Sequence, residues 1–182
     1  MLLAQSEYLL GRLDPFLDIQ PHRVSRLVFV CLGNINRSAF AHALAHKYGA
    51  NTLSFGLSAS SGNSAFHLAI DTADRFRVDL KSHLTTDITN YQYRDGDLLL
   101  TMEVRHAHKL LEAGFPIQAI ALLGNWATPH RIHIHDPHTL SREYFLSCFT
   151  LIFSAVTNLL KYLAEENSPC MAKTHYECLS NV

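Results

Sequence analysis

The sequence predicts an α/β fold in which a four-stranded parallel sheet is flanked by helices on both faces. Two observations carry this reading. Four short apolar runs alternate along the chain with longer stretches of helical character, and strands alternating with helices form parallel sheets with helical crossovers. The first run is apolar throughout rather than alternating with polar residues, as expected of a strand covered on both faces.

That run is residues 27–31 (LVFVC), ending at a glycine-containing turn. Residues 38–48 follow as a helix, with Phe40, Leu44 and Lys47 at turn spacing and Gly49 as a stop. Residues 52–55 form a second strand before Gly56, 64–76 a helix, 97–102 (DLLLTM) a third strand and 103–112 another helix. Residues 117–123 are the fourth strand, and a long helix over 142–164 closes the domain. Residues 1–24 read as an appended helical arm, residues 25–166 as the domain, and residues 167–182, with Pro169, as a mobile tail.

The chain has 182 residues, enough for one domain with its own core. Its formal net charge of −1 provides no general attraction for nucleic acid or anionic membrane, so any anion site must be built locally. Its four cysteines, Cys31, Cys148, Cys170 and Cys178, form no C-x-x-C pair. Leu2, Leu3, Tyr8, Leu9 and Leu10 are interrupted by Gln5, Ser6 and Glu7 with no basic stretch before them, which is not a secretory pattern. A reducing cytoplasm is the expected compartment. Residues 144–160 carry no charge, close to the length of a membrane span. Ser147, Thr150, Ser154, Thr157, Asn158 and Lys161 nevertheless recur at spacings that form one polar stripe, so the helix reads as packing a broad face on a protein core.

Residues 31–38 read Cys-Leu-Gly-Asn-Ile-Asn-Arg-Ser, between a strand and the opening of a helix. A nucleophilic cysteine reacts as the thiolate, although the free thiol has a pKa of about 8.5. A helix N-terminus offers a positive dipole end and unpaired N–H groups that favour both thiolate and phosphate. Gly33 and Asn34 tolerate the backbone angles needed to wrap amides around a tetrahedral anion. Arg37 adds a planar fork for two phosphate oxygens, and Ser38 can donate a hydrogen bond to the sulfur. C-x5-R alone is a weak signal; followed by Ser in this setting it is a strong one. The bland alternative, a buried cysteine at a strand end, leaves Arg37 and the Gly-Asn turn unexplained.

The segment Val-Cys-Leu-Gly-Asn-Ile-x-Arg-Ser resembles the signature of the low-molecular-weight protein tyrosine phosphatases. The similarity continues over about residues 26–165, through Ser54-Phe55-Gly56, His83, the strand running from Asp97 to Glu103, Leu122-Leu123-Gly124 and Asp136-Pro137. The resemblance implies a phosphomonoesterase acting on a tyrosine-phosphorylated protein without cofactor or metal. Cys31 would attack phosphorus, Asp136 would serve as general acid and then base, and Arg37 would clamp the phosphate. Leu32, Gly33, Asn34, Ile35, Asn36, Arg37 and Ser38 would line the phosphate, with Ser54 and His83 bracing the loop from behind. Asp136 taken by itself also fits a plain turn, because Asp-Pro is a common turn opener.

Several positions depart from the family pattern. Asn36 stands where many members have a second cysteine able to trap an oxidised nucleophile. His138 replaces a Tyr after Asp-Pro that walls the substrate groove, and residues 57–61 (LSASS) contain no aromatic where a second wall falls. A modest preference for phosphotyrosine is therefore expected, while Ile35 is more similar to the tyrosine phosphatases than to relatives acting on phosphoarginine, which have Thr there. His130, His133, His135 and His138 admit a metal reading, but no third ligand or cysteine partner is evident, and they are read as loop histidines. Trp126 is open between core packing and a groove wall. Two other functions compete. A thiol-dependent arsenate reductase also occurs on this fold and requires resolving cysteines. Only Cys170 and Cys178 in the tail are candidates, since Cys148 reads as interior to the long helix, and their placement after the final helix does not match those reductases. A non-catalytic phosphate-binding protein would have no need to keep Cys31, Arg37 and Asp136 together.

Overall fold

The computed structural model describes residues 13–168. Strand β1 (Arg26–Cys31) leads into helix α1 (Arg37–Lys47), β2 (Thr52–Gly56), α2 (His67–Arg75), β3 (Asp97–Thr101), α3 (Val104–Glu112), β4 (Ile120–Leu122) and α4 (Arg142–Glu166). The four strands form one parallel sheet in the order β2-β1-β3-β4. β1 is buried along its whole length, and its residues alternate between two cores. Leu27, Phe29 and Cys31 face Phe40 and Leu44 of α1 and Phe145, Phe149, Ile152, Val156 and Leu159 of α4. Val28 and Val30 face Phe55, Leu99, Ile120, and Val104, Ala107 and Leu110 of α3. This period of two with both faces covered is the reason the run carries no polar residue inside it.

Helix α4 is long and apolar enough to span a membrane by composition, yet Phe145, Phe149, Ile152, Ala155, Val156 and Leu159 are fully buried in the protein core. At the amino-terminal ends of the two central strands Arg26 and Asp97, in register across β1 and β3, form a buried two-pronged pair at 2.6 Å, and Asp97 also accepts from Tyr91 Oη.

Four boundaries differ from the sequence reading. β4 is three residues long rather than spanning 117–123, because only Ile120 to Leu122 pair with β3 and 3-10 turns occupy both flanks. α2 begins at His67 rather than 64, since Ser64 is held in a bridge with Leu84 and Phe66 is extended. α3 begins after an extended Glu103, which turns out to matter for the site. Residues 13–24 form two 3-10 turns, Asp14–Phe16 and Pro21–Arg23, rather than an α-helix; Pro15 and Pro21 withhold the N–H groups that α-helical bonding needs. Leu13, Phe16 and Ile19 are nonetheless buried in the cores. Residues 1–12 of the arm, and the tail with Cys170 and Cys178, lie outside the described residues.

Candidate active site

The carboxyl ends of β1, β2 and β3 meet beneath the loop of residues 31–37. Asn34 adopts a left-handed φ of 55°, tolerated by Asn better than by most residues, and its N–H donates to Cys31 Sγ at 3.3 Å. Ser38 Oγ lies 3.0 Å from the same sulfur. The Asn34 side chain ties the loop together: Nδ2 donates to Ser38 Oγ at 2.8 Å and to Ser54 Oγ at 3.0 Å, while Oδ1 accepts from Thr86 N at 2.9 Å. His83 Nε2 meets the Asn34 carbonyl at 2.7 Å; a carbonyl only accepts, so this nitrogen carries the proton. Leu32 and Ile35 carbonyls accept from Ser58 N and Phe66 N. Gly56 is required by this approach, since a Cβ there would sit 2.7 Å from the Leu32 carbonyl oxygen. Asn36 begins α1 without a side-chain cap, and an uncapped helix N-terminus is a natural anion site.

Arg37 is fully buried and held from two sides. Its Nη1 donates to Glu103 Oε1 at 2.6 Å and to the Ile134 carbonyl at 2.8 Å, and Nη2 pairs with Asp136 Oδ2 at 2.8 Å. Among the described residues neither its Nε nor its Nη2 makes a hydrogen bond, so the Asp136 contact is an ion pair by proximity of charge. Burial opposes the guanidinium charge, but Cys31, Asp136 and Glu103 outweigh it and raise the Arg37 pKa. Glu103 is buried too; its neighbours Arg37 and Arg105 overcome that burial and hold its carboxyl below the usual range. Asp136 arrives on a loop anchored by Ile134 N to the Met102 carbonyl, and its Oδ1 accepts from His138 N. Gly124 permits the strand end to pass against the Arg131 carbonyl, where a Cβ would collide.

The structure brings together Cys31, Arg37 and Asp136 with the loop, and Ser54 and His83 behind it. Sequence reasoning missed four that also touch this site. Glu103 clamps Arg37, and its position at the carboxyl end of a parallel strand was the signal that could have found it. His42 Nδ1 lies 3.1 Å from Ser54 Oγ. Thr86 holds Asn34 through its backbone. Phe66 N donates to the Ile35 carbonyl, and its ring lies 4.9 Å from that of His138. His133 and His135 stack on one another at 5.8 Å, and Trp126 packs beside Tyr162 rather than near the loop. Cys148 is buried, its Sγ faces the His135 carbonyl, and burial pushes its thiol up to about 12.

Burial also pushes His106 down to about 4, with both ring nitrogens lacking a hydrogen-bond partner among the described residues; Glu103, 3.8 Å from Nε2, opposes the shift, and Arg37 and Arg105 add to it. An unfolded histidine takes up its proton near pH 6.5 and the folded one only near 4, so stability should fall as pH drops through this window. That separation corresponds to about 3 kcal/mol at the acid end. Melting temperatures measured from pH 7 to 4.5 should therefore decline, and His106→Leu should flatten the decline. An equal slope in both proteins would show that His106 does not drive it.

The model of the low molecular weight phosphotyrosine protein phosphatase family matches residues 26–169. The low molecular weight protein-tyrosine-phosphatase Wzb of Escherichia coli (strain K12) is 34% identical over 131 residues, 70% of this chain and 88% of that protein. The crystal structure of the tyrosine phosphatase AmsI of Erwinia amylovora superposes with a TM-score of 0.71 at 28% identity, covering 78% of this chain and 94% of that one. Vibrio vulnificus Wzb in complex with benzylphosphonate gives a TM-score of 0.66 at 26% identity, covering 76% and 98%. The match over residues 26–169 and the 34% identical relative show that the chain belongs to the low molecular weight phosphotyrosine protein phosphatase family.

Proposed function

We propose that the protein hydrolyses phosphotyrosine in a tyrosine-phosphorylated protein, with Cys31 as nucleophile, Arg37 as phosphate clamp and Asp136 as general acid and base. The observation that carries this reading is the 2.8 Å pair between Arg37 and Asp136, because it joins the cysteine loop to the Asp-Pro loop in one site. An arriving phosphate competes with Asp136 for the guanidinium. Cys31 Sγ forms a bond to phosphorus as the tyrosyl oxygen leaves, and Asp136, released from Arg37 and protonated by the monoanionic phosphate ester or by solvent water, gives that oxygen its proton. Water then attacks the phosphocysteine with Asp136 taking its proton, and the sulfur departs as thiolate stabilised by Ser38 and the Asn34 N–H. The loop amides and Arg37 hold the equatorial oxygens throughout.

Residues 25–166 serve as the catalytic unit in this reading, with residues 13–24 packed onto it, and the cytoplasm suits a thiolate enzyme. Arsenate reduction is disfavoured by Cys148, whose buried, proton-retaining thiol makes a poor resolving group. A turnover assay on phosphotyrosine peptides beside arsenate with thioredoxin tests the assignment. Peptide turnover without arsenate reduction is the expected result, and the reverse would replace it.

In this reading Phe66 and His138, whose rings lie 4.9 Å apart, wall the substrate groove. Phe66→Ala should raise KM for aryl phosphates by up to about tenfold while sparing small alkyl phosphates, and His138→Tyr should lower it by about 1 kcal/mol of binding. Equal changes for aryl and alkyl substrates would show that neither ring contacts the leaving group.

A further inference from the structure

A cavity of about 570 Å³ is lined by His42 and His83, which bond Ser54 and Asn34 of the cysteine-loop web. His42, His46 and Lys47 of α1 line it together with Arg77, Asp79 and His83. Its charge is lopsided. Lys47 and Arg77 are permanent cations, three histidines stand beside them, and Asp79 is the lone carboxylate, with Oδ1 already accepting from Lys81 N. Lys47 Nζ is tethered to the Phe76 and Arg77 carbonyls, which fixes the wall, and Arg77 is held at a left-handed φ of 56° on the rim. Among the described residues Arg77 forms no ion pair.

Two of the lining histidines also belong to the web that supports the loop. His83 donates to the Asn34 carbonyl, and His42 bonds Ser54 Oγ, which in turn accepts from Asn34 Nδ2. We propose that this cavity is a second oxyanion site, taking inorganic phosphate or the phosphate group of a small phosphomonoester, and that its occupancy is felt by the phosphate loop.

The coupling has a definite chemical form. Burial, and then repulsion from His83 and His46, keep His42 near 4, so it is neutral at pH 7. A neutral His42 can accept the Ser54 hydroxyl proton at Nδ1. An oxyanion among His42, His46, His83, Lys47 and Arg77 outweighs Asp79 and favours a proton on His42. Nδ1 then becomes a donor, and Ser54 Oγ must accept from both His42 and Asn34 while its own proton turns elsewhere. Asn34 carries the N–H that bonds the sulfur, so the rearrangement reaches Cys31.

The test titrates inorganic phosphate, and separately glycerol 3-phosphate, into the enzyme while the imidazole signals of His42, His46 and His83 are followed by NMR and inhibition is measured at several substrate concentrations. Either anion should shift the three histidines and give mixed inhibition, with kcat lowered several-fold, beyond simple competition at Cys31. Arg77→Glu should weaken that cavity binding by about tenfold or more, leave activity without added anion unchanged and reduce the inhibition to a purely competitive one. His46→Glu, at an exposed position, should do the same and stands in if the first variant folds poorly. A response to glycerol 3-phosphate alone identifies the occupant as a phosphomonoester, and a response to both identifies the bare phosphate group as sufficient. Purely competitive inhibition in the wild type, or histidine shifts that persist undiminished in both variants, would overturn the proposal. The NMR readout needs no turnover, so its failure is separable from failure of the phosphatase reading.

Discussion

Cys31→Ser should lower turnover of aryl phosphates by about 10³ or more, the scale on which loss of a covalent nucleophile is felt, without unfolding the domain. Serine's hydroxyl remains protonated where a thiol ionises, so the attacking electron pair is withdrawn from the reaction. The replacement is close in shape, and the Ser38 and Asn34 contacts to the 31 side chain have oxygen equivalents. Helix α1 and the Asn34 web do not depend on the sulfur, because Asn34 is also held by Ser54, Thr86 and His83. The variant should therefore melt within a few degrees of the wild type and still bind phosphate at the loop. Retention of more than a few per cent of activity would rule out phosphocysteine chemistry.

Asp136→Asn should cost ~10²–10⁴ in turnover, the range of a lost general acid. The loss should shrink for substrates whose leaving group needs no proton, because the first step then proceeds without help. A second effect comes from the structure. The Asp136 carboxylate pairs with Arg37 Nη2 at 2.8 Å, and an amide competes for the guanidinium less well than a charge does. Phosphate and vanadate should thus inhibit the variant at equal or lower concentration than the wild type even as turnover collapses. Glu103 stays in place on Nη1 and keeps the guanidinium oriented. Equal losses for good and poor leaving groups, or much weaker phosphate binding, would assign Asp136 to positioning Arg37 instead of proton transfer.

The phosphate loop was legible in the sequence because consecutive residues build it. A buried strand, a Gly-Asn turn and a helix start need only local backbone geometry, so Cys31, Asn34, Arg37 and Ser38 could be given their places from spacing alone. Asp136 was legible only through resemblance, since Asp-Pro has an ordinary turn reading that nothing nearby excludes. The parallel sheet also followed from pattern, because strands covered on both faces have little room for polar residues.

Other features depended on which elements the tertiary structure brings together. Glu103 reads from sequence as the first residue of a helix; the fold makes it an extended cap pointing its carboxylate at Arg37. Phe66 falls inside the helix read over residues 64–76, yet the Ser64–Leu84 bridge delays the helix and sets Phe66 beside Ile35 and His138. His42 lies one helical turn past Ser38 with no motif around it, and only the packing of α1 against β2 brings it to Ser54. The residues that carry the chemistry are specified by short-range spacing, whereas those that hold and tune them are chosen by contacts between strands and helices far apart in the chain. Burial and charge exist for a side chain only after those elements have packed, which is why the clamp on Arg37 and the histidine-lined cavity had to wait for the fold.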